Sequence, residues 1–141
     1  MRKCAAVLAA LILALALCSC GGNSAAGSDS FAVNIVCQSE NVYQIFYSCY
    51  IDGEYFGMGG MADLDGNKLS ADSELQLVFT KAYFEGLEDP SGFSLTLSPY
   101  GENDTSEIGT SNCVYIYAQY GESYTVVFSG DAESGFTAAL Q

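Results

Sequence analysis

From Phe31 onward the chain alternates apolar and polar residues with a period of two rather than 3.6. In residues 74–80, ELQLVFT, Leu75, Leu77 and Phe79 alternate with Glu74, Gln76, Val78 and Thr80. In residues 93–98, FSLTLS, Phe93, Leu95 and Leu97 alternate with Ser94, Thr96 and Ser98. A side chain that points to opposite faces at each step needs this pattern, so both runs predict half-buried strands. The run FAVNIVC at 31–37 sets Phe31, Val33, Ile35 and Cys37 against Ala32, Asn34 and Val36, and VYQIFYSCYI at 42–51 is apolar on both faces, as a central strand is.

Turn residues divide these runs. Asp52-Gly53 is the pair that a tight type I′ hairpin favours, and it predicts that the chain returns through EYFGMGGMA. Near the end, VYIYAQ and YTVVFSG flank Tyr120-Gly121-Glu122-Ser123, which predicts a second hairpin, and GFTAAL closes the domain. In that hairpin Gln119 faces Tyr124, Tyr117 faces Val126 and Tyr115 faces Phe128, an aromatic ladder that we expect to be buried. Residues 81–89, KAYFEGLED, offer a helical turn before Pro90. The expected fold is all-β: an antiparallel, immunoglobulin-like β-sandwich of about seven or eight strands spanning 31–141, after a cleaved N-terminal signal helix. The chain has no Trp, so the antibody-type Cys, Trp, Cys arrangement is missing and the likeness is one of architecture.

The first 30 residues follow another logic. Arg2 and Lys3 precede an apolar run from Cys4 to Leu17, roughly 14 residues where a bilayer core needs about 20. Small and polar residues, GGNSAAGSDS, come next. This is a secretory signal rather than a spanning helix. Leu17-Cys18-Ser19-Cys20 resembles the lipobox of bacterial lipoproteins, with a Leu three residues before the modified Cys and a small residue directly before it. The resemblance implies a signal peptide at 1–19, lipidation of Cys20, and a lipidated Cys plus flexible tether over 20–30. A diacylglyceryl group supplies the two chains that stable anchoring requires, and the tether extends roughly 15–20 Å. The implied location is the outer face of the bacterial cytoplasmic membrane or the cell surface. The tail YGESYTVVFSGDAESGFTAAL also resembles small lipoproteins with immunoglobulin-like domains, a likeness that brings no catalytic residues with it.

Charge then narrows the partners. Loss of Arg2 and Lys3 leaves Lys68 and Lys81 against 17 carboxylates. Clustered Lys and Arg are what a phosphate backbone requires, so nucleic acid is excluded as a partner. Membrane contact is expected through the lipid alone, and the remaining partner is an envelope protein or a glycan. After processing, Cys37, Cys49 and Cys113 remain, without a C-x-x-C spacing and without histidine, which argues against zinc or a redox motif.

Three acidic segments are candidate sites. Asp63-Leu64-Asp65-Gly66-Asn67, followed by Asp72 and Glu74, has oxygen ligands of the kind calcium takes. Aligning Gly66 with the invariant glycine of an EF-hand loop, however, puts Met61 at the first ligand and Asp72 at the bidentate one, so the better reading is a polar turn. Glu102, Asp104 and Glu107 form a second segment, and Glu85, Glu88 and Asp89 a third. Paired carboxylates serve glycosidases, but 17 acids in so small a domain produce such pairs by chance. No catalytic residue, metal site or cofactor is assigned. The expected function is non-enzymatic binding or scaffolding at the cell envelope. The alternatives are a calcium-dependent adhesive or carbohydrate-binding module, and a carboxylate-based hydrolase. Ten tyrosines and eight phenylalanines leave open an exposed aromatic platform, of the kind that recognises sugars or proteins.

Overall fold

The structure, a computed structural model, describes residues 26–103 and 105–141. The expected signal peptide, the expected acylation site Cys20 and the first half of the expected tether lie outside the described residues, as does Asp104. Among the described residues there are eight strands and no helix: β1 (Ser30–Cys37), β2 (Gln44–Ile51), β3 (Glu54–Ala62), β4 (Leu75–Thr80), β5 (Phe93–Tyr100), β6 (Val114–Tyr115), β7 (Ser123–Asp131) and β8 (Gly135–Leu140). They form two four-stranded sheets, sheet A in the order β4-β1-β7-β8 and sheet B in the order β3-β2-β5-β6. The protein is a β-sandwich. The pairings are antiparallel except that of β1 with β7, which run parallel and set Ile35 beside Val126.

Alternation decides which side chains fill the space between the sheets. From sheet A come Phe31, Val33, Ile35, Leu77, Phe79, Val126 and Phe128, and from sheet B Ile45, Cys49, Phe93, Leu95 and Leu97, all buried. Phe31 joins the two layers, its ring 5.3 Å from Phe79 in its own sheet and 5.0 Å edge-on to Phe93 in the other. Full burial of such a side chain contributes about 1.5–3 kcal/mol. Asp52 and Gly53 have φ of 52° and 85°, the left-handed pair that a type I′ turn demands, and they join β2 to β3 as expected. Residues 81–86 form successive turns rather than a helix, with Glu85 and Gly86 at positive φ.

The second expected hairpin does not form. β6 pairs with β5 in sheet B, whereas β7 pairs with β1 and β8 in sheet A, so residues 116–122 carry the chain from one sheet to the other. The ladder of Gln119 with Tyr124, Tyr117 with Val126 and Tyr115 with Phe128 is therefore absent. The physical reason lies in the alternation: Val114, Ile116 and Ala118 are buried, which turns Tyr115 and Tyr117 outward to 66% and 81% exposure. Tyr124 pins the crossing, its hydroxyl accepting from the Gln119 N–H at 2.9 Å and donating to the Tyr117 carbonyl at 3.2 Å. The Gly121 N–H donates to the Ser30 carbonyl, which fixes the crossing against the start of β1. Just before β6, Asn112 ties the β5–β6 connection to β8 of sheet A: its Nδ2 donates to the Ala138 carbonyl and its Oδ1 accepts from the Ala138 N–H, both at 2.9 Å.

Candidate binding face

The outward side of sheet B is defined by register. Tyr55 of β3 sits opposite Tyr50 of β2, Tyr50 opposite Ser94 of β5, and Ser94 opposite Tyr115 of β6. One row across all four strands thus reads Tyr55, Tyr50, Ser94, Tyr115. Phe93 and Leu95 are buried in the core, so alternation turns Ser94 to the outer side between Tyr50 and Tyr115. Tyr50 and Tyr55 meet edge to face with ring centroids 6.0 Å apart. Along β2 and β5 the next outward positions are Ser48 beside Thr96 and Phe46 beside Ser98, with Met58 flanking Ser48 from β3. Tyr55 and Met58 are 59% and 60% exposed.

A β-bulge makes the row possible. The pairing of β2 with β3 shifts between Cys49 and Tyr50, so that Tyr50 faces Tyr55 while Cys49 faces Gly57. The extra residue, Phe56, packs against Tyr83 and Phe84 with centroids 5.7 and 5.1 Å away, which frees Tyr55 to lie on the outer face. The inward side of β3 must then be narrow. A Cβ on Gly59 would stand 2.6 Å from the Tyr47 hydroxyl, and one on Gly57 would collide with the hydroxyl of Tyr83. Burial, together with the contact to Cys49, pushes the Tyr83 phenol well above its ordinary range, so it stays neutral there.

The outer face of sheet B presents no charged side chain along these rows, although the chain has a net charge of −13. The acids lie mostly in turns and loops, with Glu54 at the start of β3 and Asp131 at the end of β7. The outer face of sheet A is also uncharged along β1 and β4, but its polar groups satisfy one another: Gln76 Nε2 donates to Asn34 Oδ1 at 2.8 Å, and on β7 and β8 the Ser129 and Thr137 hydroxyls meet at 3.0 Å. Sheet B differs in carrying rings, and one of its polar groups lacks a partner: Ser94 is 1% exposed and its Oγ makes no hydrogen bond. At the end of the row a cleft of about 250 Å³ opens, lined in part by Asp52, Gly92, Tyr115, Ile116 and Tyr117.

Three acids of these segments serve local contacts. Asp63 Oδ1 accepts from the Asp65 N–H, the Asn67 N–H and Asn67 Nδ2, which closes a turn and holds its carboxyl below the usual range, chiefly through the Asn67 N–H. Asp89 accepts from the Ser91 N–H, and Glu88 pairs with Lys81 at 2.6 Å. The described acids at 85–89 precede β5 and those at 102–107 follow it, a strand whose eight residues span roughly 23 Å. Among the described residues no group of three or more His, Cys, Asp or Glu is placed to hold a metal ion. Cys37, Cys49 and Cys113 are free thiols.

Of the tyrosines singled out in the sequence, Tyr115 and Tyr117 belong to this face, whereas Tyr124 belongs to sheet A and packs edge-on to Phe31 at 6.3 Å. Val127 lies on the outward side of sheet A and Phe128 is buried. Sequence reasoning missed Tyr50, Tyr55 and Ser94. The pairing of the first two follows from the two-residue Asp52-Gly53 turn, which sets Tyr50 opposite Tyr55; their alignment with Tyr115 needs the sheet order.

Fold and face together define a β-sandwich domain with one open aromatic sheet surface. No family model matches the chain, and no curated protein matches it. Among solved structures it is similar to an NMR structure of a protein from Eubacterium rectale, at 12% identity and a TM-score of 0.43, over 85% of this chain and 94% of that one.

Proposed function

We propose that this chain is a lipid-anchored, non-catalytic binding domain of the bacterial envelope, tethered through Cys20, whose contact surface is the outer face of sheet B. The observation that carries the reading is the row of exposed Tyr55, half-buried Tyr50 and exposed Tyr115 on a face whose rows bear no charge. Large exposed aromatics are rare on a surface with no partner, because they leave apolar area in water that a contact would bury. The lipobox supports the anchor. The absence of histidine from the whole sequence supports a role in binding, since Ser-His and Cys-His nucleophiles are unavailable.

Hydroxyl-radical footprinting tests the surface directly by comparing intact envelopes with the purified protein. Tyr55, Met58 and Tyr115 are expected to be protected in envelopes, while Val78 and Leu140, exposed at 52% and 44% on sheet A, react equally in both. Equal labelling of Tyr55 and Tyr115 in the two samples overturns the reading.

A further inference from the structure

We infer that the outer face of sheet B binds an uncharged polysaccharide laid across the strands along Tyr55, Tyr50, Ser94 and Tyr115. The inference rests on the reading of that face as the contact surface and adds the chemistry of what it holds. Neighbouring strands lie about 4.7–4.9 Å apart, so Tyr50 and Tyr115, separated by β5, are about 10 Å apart across the sheet, with Ser94 between them. That interval accommodates a pair of sugar rings. A pyranose offers one face of C–H groups, which stack on a phenol ring, and a rim of hydroxyls, which require donors and acceptors. Both kinds of partner alternate here.

The row supplies the rings, and Ser48, Thr96 and Ser98 supply hydroxyls beside them. Ser94 adds the most specific feature, a buried Oγ with no hydrogen-bond partner between Tyr50 and Tyr115. A buried hydroxyl without a partner is costly, and a sugar hydroxyl that meets it as one of the flanking rings turns aside removes that cost.

Charge and composition select among ligands. No Lys or Arg on these rows meets a carboxylate or phosphate, no Asp or Glu meets a basic peptide, and the net charge of −13 repels anionic polymers. Protein interfaces share the aromatic enrichment, but their cores are depleted in Ser, whereas serines run through the centre of this face. An anionic bilayer surface is opposed by the lack of Lys and Arg on these rows.

The test is titration of the purified full chain in detergent with cellohexaose, xylohexaose, laminarihexaose and chitohexaose, followed by tyrosine fluorescence, which the absence of Trp leaves unmasked. Saturable binding of at least one sugar is expected. Tyr55→Ala and Tyr115→Ala, both at exposed positions that tolerate truncation, should each weaken it about tenfold, the loss of one stacked ring. Val78→Ala on sheet A should leave it unchanged. Salt at about 1 M, where the Debye length is about 3 Å, should also leave it unchanged. Binding that ignores both tyrosine variants, or that disappears in salt, overturns the inference. If no sugar binds while Tyr55 and Tyr115 are protected in envelopes, the glycan is wrong and the contact face stands, with a protein as its occupant. If no sugar binds and the tyrosines are unprotected, both fall.

Discussion

Truncating Ile116 and Tyr117 in separate variants separates the observed sheet crossing from a hairpin at Tyr120-Gly121. The two residues are adjacent in sequence and opposite in environment, Ile116 at 0% exposure and Tyr117 at 81%. Ile116→Ala removes methyl and methylene groups from the core cluster and leaves a cavity there, a change that costs about 2–5 kcal/mol. Its backbone role survives, since the Ile116 N–H still donates to the Phe93 carbonyl at 2.9 Å. Tyr117→Ala strips a ring from solvent and keeps the carbonyl that receives the Tyr124 hydroxyl, so its cost stays within about 0.5 kcal/mol. In urea, with a slope of about 2 kcal/mol/M, Ile116→Ala should lower the midpoint by about 1–2.5 M, and Tyr117→Ala by no more than about 0.3 M, with the slope unchanged in both. A greater loss for Tyr117→Ala than for Ile116→Ala would mean that the tyrosines face the core and would refute the assigned register of β6.

Three further outcomes follow from single contacts. Asn112→Asp replaces the donor to the Ala138 carbonyl with an acceptor and should lower stability by about 1–3 kcal/mol in the same urea assay; no loss would mean that the tie from the β5–β6 connection to β8 is dispensable. Alkylation mapped by peptide mass should modify half-buried Cys113 first. Cys37 and Cys49, whose thiols burial pushes above their usual range, should react only on unfolding, and rapid modification of Cys49 in the folded protein would contradict its placement. The Asp131 carboxylate is held below its ordinary range by the backbone N–H groups of Ser134 and Glu133, so its contribution is complete above that range and is lost as pH falls through it. The stability gap between the wild type and Asp131→Ala should therefore narrow below about pH 3, and a gap that widens there would reverse the assignment.

How far the fold could be read from the chain depended on how local each signal was. The alternation of Phe31, Val33, Ile35 and Cys37 assigned the inward face of β1 because burial acts on each residue separately. Asp52-Gly53 located the first hairpin because its positive φ values are a property of two adjacent residues. Tyr120-Gly121 carried a similar turn signal, and Gly121 does take a φ of 91°, but the partner chosen by β7 is β1, more than 80 residues earlier, and no local pattern encodes that choice. The candidate face was hidden for a related reason. Tyr55, Tyr50, Ser94 and Tyr115 become one row only through three pairings and a bulge at Cys49/Tyr50, so the tyrosine count signalled an excess without its location. Asn112 gave no sign in the sequence that it ties the β5–β6 connection to β8.

An amide chemical-shift map of the full chain, recorded as cellohexaose or whichever hexasaccharide binds is added, tests the central claim most directly. The account predicts that the largest shifts fall on Tyr50, Tyr55, Ser94 and Tyr115, while Asn34, Gln76 and Thr137 on the outer face of sheet A remain still. Shifts concentrated on sheet A, or on the Asp63–Asn67 turn, would contradict it.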